Sequence, residues 1–143
     1  MADSNEYLGS HRFSVQIDGG EAMNGFVSVS AIISNTEPIT FKHGLDAYVR
    51  KAPGRVTWED ISLERVYTGG DDMAAWRKDL VAGVATRKTI TIHYMTAAGN
   101  EVKVFQLSGA FPVRWELPGL NAQGSDNAME KITVCVEVVE DIT

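Results

Sequence analysis

Leu107-Ser108-Gly109-Ala110-Phe111-Pro112-Val113-Arg114-Trp115 decides the fold, together with the run from Met129 to Val139. The first stretch is a short apolar strand that bends at Pro112, because proline cannot donate to a sheet ladder and sits at edges or bulges. It restarts through Trp115 and passes a polar loop from Asn121 to Asn127. The second run sets Ile132, Val134, Val136 and Val138 against Thr133, Cys135 and Glu137. Both of its faces are largely apolar up to Glu137, which predicts a central strand.

Working outward, Phe13, Val15 and Ile17 alternate with Ser14 and Gln16, as a half-buried strand does. Asp18-Gly19-Gly20 reads as a turn. A second strand is expected over Gly25–Ile33, with Phe26, Val27 and Val29 inside it. A long strand is expected from Val56 to Tyr67, where β-branched and aromatic residues dominate. Gly69-Gly70-Asp71-Asp72 ends it, and Asp71 or Asp72 caps a helix by accepting the free N–H groups of the first turn. Met73, Trp76 and Leu80 form that helix's apolar stripe, and Gly83 stands at its C-terminal end. Ile90, Ile92 and Tyr94 form another strand, which Ala98-Gly99-Asn100 turns back through Val102 and Val104. The first ten residues read as a flexible arm.

The stretch from Ser34 to Arg55 is different. It holds Pro38, Gly44, Pro53 and Gly54, charges of both signs, and the rings of Phe41 and Tyr48. No helical or strand period runs through it. Loops beyond about 12–15 residues are uncommon in compact domains and are usually functional. It is either a long surface hairpin packed on its own domain or an arm that reaches a partner.

The totals limit the alternatives. The chain has 143 residues and a net charge of −6. That length suits one domain, able to bury about 68–70% of its unfolded surface. The single cysteine, Cys135, excludes an internal disulfide and fits a reducing compartment. No run approaches the ~20 apolar residues of a membrane helix, and no secretory leader is visible. Synthesis and folding in the cytoplasm are therefore expected. The thirteen basic residues are scattered, which argues against a module that grips DNA by its phosphates.

Chemistry-bearing motifs are absent. His11, His43 and His93 form no H-x-x-x-H pattern, and one cysteine cannot supply a structural zinc site. Asp18-Gly19-Gly20-Glu21 and Asp71-Asp72 lack the ligand spacing of a calcium loop. No nucleophile elbow, phosphate loop or dinucleotide fingerprint occurs. His93 reads as a surface or interface residue, and Cys135 as an inert buried thiol. Glu64, Arg65, Glu137 and Glu140 read as solvated or cross-strand charges. No catalytic residue, cofactor or metal is expected.

In order and spacing, the pieces resemble the tail tube protein family of contractile phage tails and related contractile injection systems. Phe13-Ser14-Val15-Gln16-Ile17-Asp18-Gly19 and Gly25-Phe26-Val27-Ser28-Val29-Ser30 resemble its opening strands. Pro53-Gly54-Arg55 followed by Ile61-Ser62-Leu63-Glu64-Arg65 is similar to its P-G-x and I-x-L-x-R elements. Asp72 and Trp76 match its short helix. Gly109-Ala110-Phe111-Pro112-Val113-Arg114-Trp115 resembles its N-A-W-P-x-x-W segment, although Gly109 and Phe111 replace the commoner Asn and Trp. Leu117–Ala122 and Glu130–Glu140 resemble its closing loop and strand. Val29-Ser30-Ala31-Ile32 departs from the usual V-S-G-L and leaves the subfamily open.

The resemblance implies a mainly β fold: a β-sandwich or barrel-like domain of six to eight strands, one short flanking α-helix and a long extended loop. It implies a structural subunit that forms homohexameric rings stacked into a hollow tube. Implied partners are a sheath protein, baseplate or spike initiator proteins, and DNA or protein cargo in the lumen. The Ser34–Arg55 segment is then the inter-subunit arm, with Pro38, Phe41, Lys42, His43, Tyr48, Arg50 and Lys51 as contacts. Two other classes stay open: a small β-barrel ligand-binding or adaptor module, and, well behind, a hydrolase built around His93.

Overall fold

The computed structural model describes residues 8–18, 26–67, 69, 72–84, 86–96, 100–117, 119–120, 122–124 and 128–143. Residues 1–7 of the expected arm, the Gly19-Gly20 turn, Gly25, Asp71, Ala98-Gly99 and most of the Asn121–Asn127 loop lie outside them. The elements are β1 (Leu8–Ile17), β2 (Phe26–Val29), β3 (Ser34–Phe41), β4 (Arg50–Trp58), β5 (Ile61–Val66), α1 (Asp72–Val81), β6 (Lys88–Thr96), β7 (Glu101–Glu116), β8 (Met129–Cys135) and β9 (Val138–Asp141).

Seven strands form one antiparallel sheet in the order β1-β6-β7-β8-β5-β2, with β9 also on β7. β3 and β4 form a separate two-stranded sheet. The deciding segment is the spine of this arrangement. β7 runs sixteen residues, longer than the Leu107–Leu117 strand expected, because it absorbs the Val102/Val104 strand as well. Its first half pairs with β6 and β9, and its second half with β8. One strand therefore serves two layers, and it must bend between them.

The bend begins before Pro112. Gly109 has a φ of 67°, and the register shifts between Lys88 and Ile90 across from it. A second shift follows between Pro112 and Arg114. A Cβ on Gly109 would stand 2.7 Å from Glu137 Oε2. Glu137 fills the corner because Arg87 Nη1 donates to its carboxylate at 2.6 Å and to Gly109 O at 3.2 Å. The expected single strand through Val138 accordingly breaks into β8 and β9 at Val136-Glu137, opposite this corner. Gly109→Ala should lower stability by about 1–2 kcal/mol, since a side chain in the left-handed region costs that much. Thermal melting checks it, and an unchanged midpoint would mean the corner does not need glycine.

The core lies between the layers. Val15, Ile61, Leu63, Ile90, Leu107, Ile132 and Val134 are fully buried. Each contributes roughly 1.5–3 kcal/mol when removed from water. β8 sits between β7 and β5, central as its two-sided apolar pattern predicts. α1 packs on β7 and buries Met73 and Trp76. Trp76 Nε1 donates to Thr86 O at 2.8 Å, and Arg77 Nη1 donates to Pro112 O at 3.0 Å. The helix closes near Gly83, with Gly83 N–H on Leu80 O and Val84 N–H on Asp79 O, a Schellman pattern.

Three expectations change. The strand expected over Gly25–Ile33 spans only Phe26–Val29. The strand expected from Val56 to Tyr67 is two strands in different sheets, separated at Glu59-Asp60. The Ser34–Arg55 loop is the ordered hairpin β3–β4. Its strand period is invisible in sequence because β3 is exposed at every position. Alternation appears only when one face of a strand is buried.

Candidate assembly surface

The hairpin's eight-residue β3 extends roughly 25 Å at ~3.3 Å per residue. Its register runs from Ser34 opposite Trp58 to Phe41 opposite Arg50, with a bulge between Thr36 and Pro38. The bulge depends on Gly54, because a Cβ there would come 2.5 Å from Glu37 O. Pro38 faces Pro53 across this irregularity, so neither proline removes a regular ladder bond.

Six of the seven predicted contact residues lie in the outer half of this hairpin, and Pro38 stands nearer its base. Phe41 and Arg50 pair across the ladder, and Thr40 faces Lys51. The His43 ring stands edge-on to Phe41 at 5.3 Å. Arg50 lies 5.8 Å from the Tyr48 ring centroid. Lys42, His43, Tyr48, Arg50 and Lys51 are exposed. Sequence reading missed the apolar company: Ile39, Leu45, Val49 and Val56 are also exposed, with Leu45 fully so at 104%. A hydrophobic residue every few positions in an otherwise polar segment was the signal available. Single exposed apolar residues are ordinary, but a dense set on one protrusion marks an interaction surface.

Asp46, also missed, organises the tip. Its Oδ2 accepts from His43 N–H at 3.2 Å and from Arg50 Nε at 2.8 Å. Its Oδ1 accepts from Arg50 Nη2 at 3.3 Å, and its own N–H donates to His43 O at 2.8 Å. The Arg50 guanidinium holds the Asp46 carboxyl below the usual carboxylate range. The turn is thus held in shape by its own hydrogen bonds.

β1 and β2 are the two ends of the sheet path. A groove of about 260 Å³ lies between them, lined by Phe13, Val29, Ile32, Ile92 and Tyr94 among others. Among the described residues, neither strand has a partner on its outer edge.

A buried polar network, unseen in sequence, fixes the interior. Glu130 is fully buried. Arg65 Nε donates to its Oε1 at 2.8 Å, and Trp115 Nε1 donates to its Oε2 at 2.9 Å. Arg65 also makes a bidentate pair with Asp72 at the start of α1. Of the two readings offered for Arg65, solvated or cross-strand, it is the cross-strand one: Arg65 stands opposite Glu130 in the β5–β8 ladder. Arg65 holds the Asp72 carboxyl below its ordinary value. Glu64, on the opposite face, accepts from Ser28 Oγ at 3.4 Å.

His93 is half-buried rather than gathered into a catalytic set. Its Nδ1 lies 2.8 Å from Glu101 Oε2 and its Nε2 lies 3.0 Å from Gln16 Oε1, which ties β1, β6 and β7. Cys135 is half-buried, and burial pushes its thiol up, with Asp60 nearby adding to the shift. No group of three or more metal-ligating side chains occurs among the described residues.

A bent antiparallel sheet with open edges, one flanking helix and a projecting two-stranded arm defines a tube-protein fold. The sequence matches the model of the T4-like virus tail tube protein gp19 family over residues 9–140. The chain belongs to that family. It resembles a chain of an extracellular contractile injection system, the PVC sheath–tube complex in its extended state, with 25% identity and a TM-score of 0.83 over 95% of this chain and 91% of that one. It is similar to a chain of the PVC sheath/tube terminator, with 26% identity and a TM-score of 0.80 over 96% and 99%. A chain of the anti-feeding prophage baseplate shares the fold, with 18% identity and a TM-score of 0.82 over 99% and 97%. No curated protein sequence matches the chain. The protein is a structural subunit of the inner tube of a contractile tail or injection particle.

Proposed function

We propose that the protein forms homohexameric rings that stack into a hollow tube through the β3–β4 hairpin. The observation that carries this is the hairpin itself: ordered, exposed along all of β3, and rich in apolar side chains with no domain surface to cover them. Within a ring, the open edges of β1 and β2 pair with neighbouring subunits, and each chain adds strands to one inner barrel. Ring closure removes edges that would otherwise aggregate. Ring-to-ring stacking is heterologous and does not close, so it yields a filament. Pro38, Phe41, Lys42, His43, Tyr48, Arg50 and Lys51 make the inter-ring contacts.

The work is mechanical and not catalytic. A contracting sheath drives the rigid tube through a target envelope, and the lumen conducts DNA or protein cargo. Baseplate or spike proteins initiate the tube, which is assembled in the cytoplasm. Native mass measurement of the purified protein should show a species of six chains; a strict monomer at every concentration and with an initiator complex present would defeat the proposal.

A further inference from the structure

The sheet folds back on itself at β7, and this gives the chain two unlike flanks. One layer holds β1, β6, the first half of β7 and β9. The other holds β2, β5, β8 and the second half of β7. On one flank the layers end separately, at β1 and β2, and the groove lined by Phe13, Val29 and Tyr94 lies open between them. On the opposite flank β7 passes from layer to layer and closes the gap, with β9 beside it. Val113 and Val138 are exposed on β7 and β9 there. Two unlike flanks meet head to tail, and such contacts generate rings when the rotation closes.

Strand-pairing rules select what meets β1. The closed flank offers two edges. The outer edge of β7 from Phe111 to Glu116 is obstructed. Pro112 has no N–H to donate, its carbonyl already accepts from Arg77, and the register shifts between Pro112 and Arg114. β9 has no proline and pairs with β7 in unbroken register. Among the described residues, its outer edge has no strand partner. Each strand from β1 through β6 and β7 to β9 is antiparallel to the next, so β1 and β9 run in opposite directions. A layer continued from copy to copy therefore stays antiparallel. Charge favours the same pairing. β1 holds one charged residue, the base Arg12, whereas β9 holds the acids Glu140 and Asp141. Like charges set opposite each other across two β9 edges would be destabilising, while opposite charges across β1 and β9 are favourable.

We propose that β1 of each copy pairs with the outer edge of β9 in the next copy, and that this neighbour's flank covers the groove. The proposal rests on the reading that copies close into a ring, and it names the strands that join them. The pairing satisfies two edges that would otherwise recruit strands at random.

Cross-linking of the full-length chain tests it. By register, Ser14, Gln16 and Glu140 lie on one face of their layer. With Cys135→Ser removing the native thiol, the pairs S14C/E140C and Q16C/E140C are treated with a short bismaleimide, and reaction of both thiols is confirmed by mass. Each pair should give a ladder of linked chains on a denaturing gel, and S14C, Q16C and E140C alone should remain single chains. Linked dimers from any single variant would show like edges meeting and overturn the proposal. Rings seen by native mass without a ladder from either pair would overturn it too, and would leave the ring reading intact. Monomers alone by native mass, for the native protein at every concentration and with an initiator complex present, would overturn the ring reading itself.

Discussion

Replacing residues 35–57 with a short glycine-containing turn is expected to leave a folded protein that forms no tubes. The hairpin is a sheet of its own, and its removal takes no residue from the buried core. The ladder between Ser34 and Trp58 brings its two ends together, so a short turn can bridge them. Trp58 packs against the core's edge and is kept for that reason. Circular dichroism and thermal melting should show the native sheet signature with a midpoint within a few degrees. Negative-stain fields should show rings or smaller species with no stacked tubes. A variant that unfolds would show that the arm is part of the core. One that still stacks would place the ring-to-ring contact elsewhere.

Glu130→Ala should produce the largest loss of stability of any single substitution considered. It removes a fully buried carboxylate that accepts from both Arg65 and Trp115. Breaking one side of a buried pair costs about 3–5 kcal/mol, because the remaining charge stays desolvated. For a chain of this size that is a fall of roughly 6–20 °C in midpoint. Asp72 still faces Arg65, which favours the lower part of the range. The control is Glu116→Ala, whose partner Arg114 is 70% exposed. That surface pair should contribute no more than about 1 kcal/mol. Equal losses from the two substitutions would contradict the role given to burial.

The same network sets a pH dependence. The folded pKa of Asp72 is depressed, so its contribution is present above the ordinary carboxylate value of about 3.9 and disappears as pH falls through the folded value. Asp46 behaves alike in the hairpin turn. Asp141, held by Thr143 and Lys103, is lowered to about 2 and is the last of these to protonate. Acidification below pH ~4 should therefore loosen the hairpin turn and the start of α1 before the β9 terminus.

Much of the sheet was legible because burial writes a period into sequence. β1, β6 and β8 each alternate against a core, and α1 carries Met73 and Trp76 on one stripe. β8 is central as expected, but only one of its faces is fully buried; Lys131, Thr133 and Cys135 on the other are half-buried. The arm was legible only as a segment that fits no period. With every residue of β3 in solvent, pairing to β4 leaves no hydrophobic alternation to read. The bend was expected at Pro112, whereas the corner begins at Gly109. Arg87 and Glu137 meet there from distant parts of the chain. The pairing of Glu130 was not foreseen, since its partners stand 65 and 15 residues away. Long-range polar pairing leaves no local mark. Chemistry-bearing motifs are absent from the sequence, and what stands out in the structure is an exposed hairpin rich in apolar side chains.

The central claim is that exposed hairpins join identical rings into one tube. Cryo-electron microscopy of the purified protein after assembly tests it most directly. The expected image is a continuous hollow tube of stacked six-subunit rings, with residues 38–51 of each chain seated on the adjacent ring. Tubes whose hairpins point into solvent, free of the neighbouring ring, would contradict it.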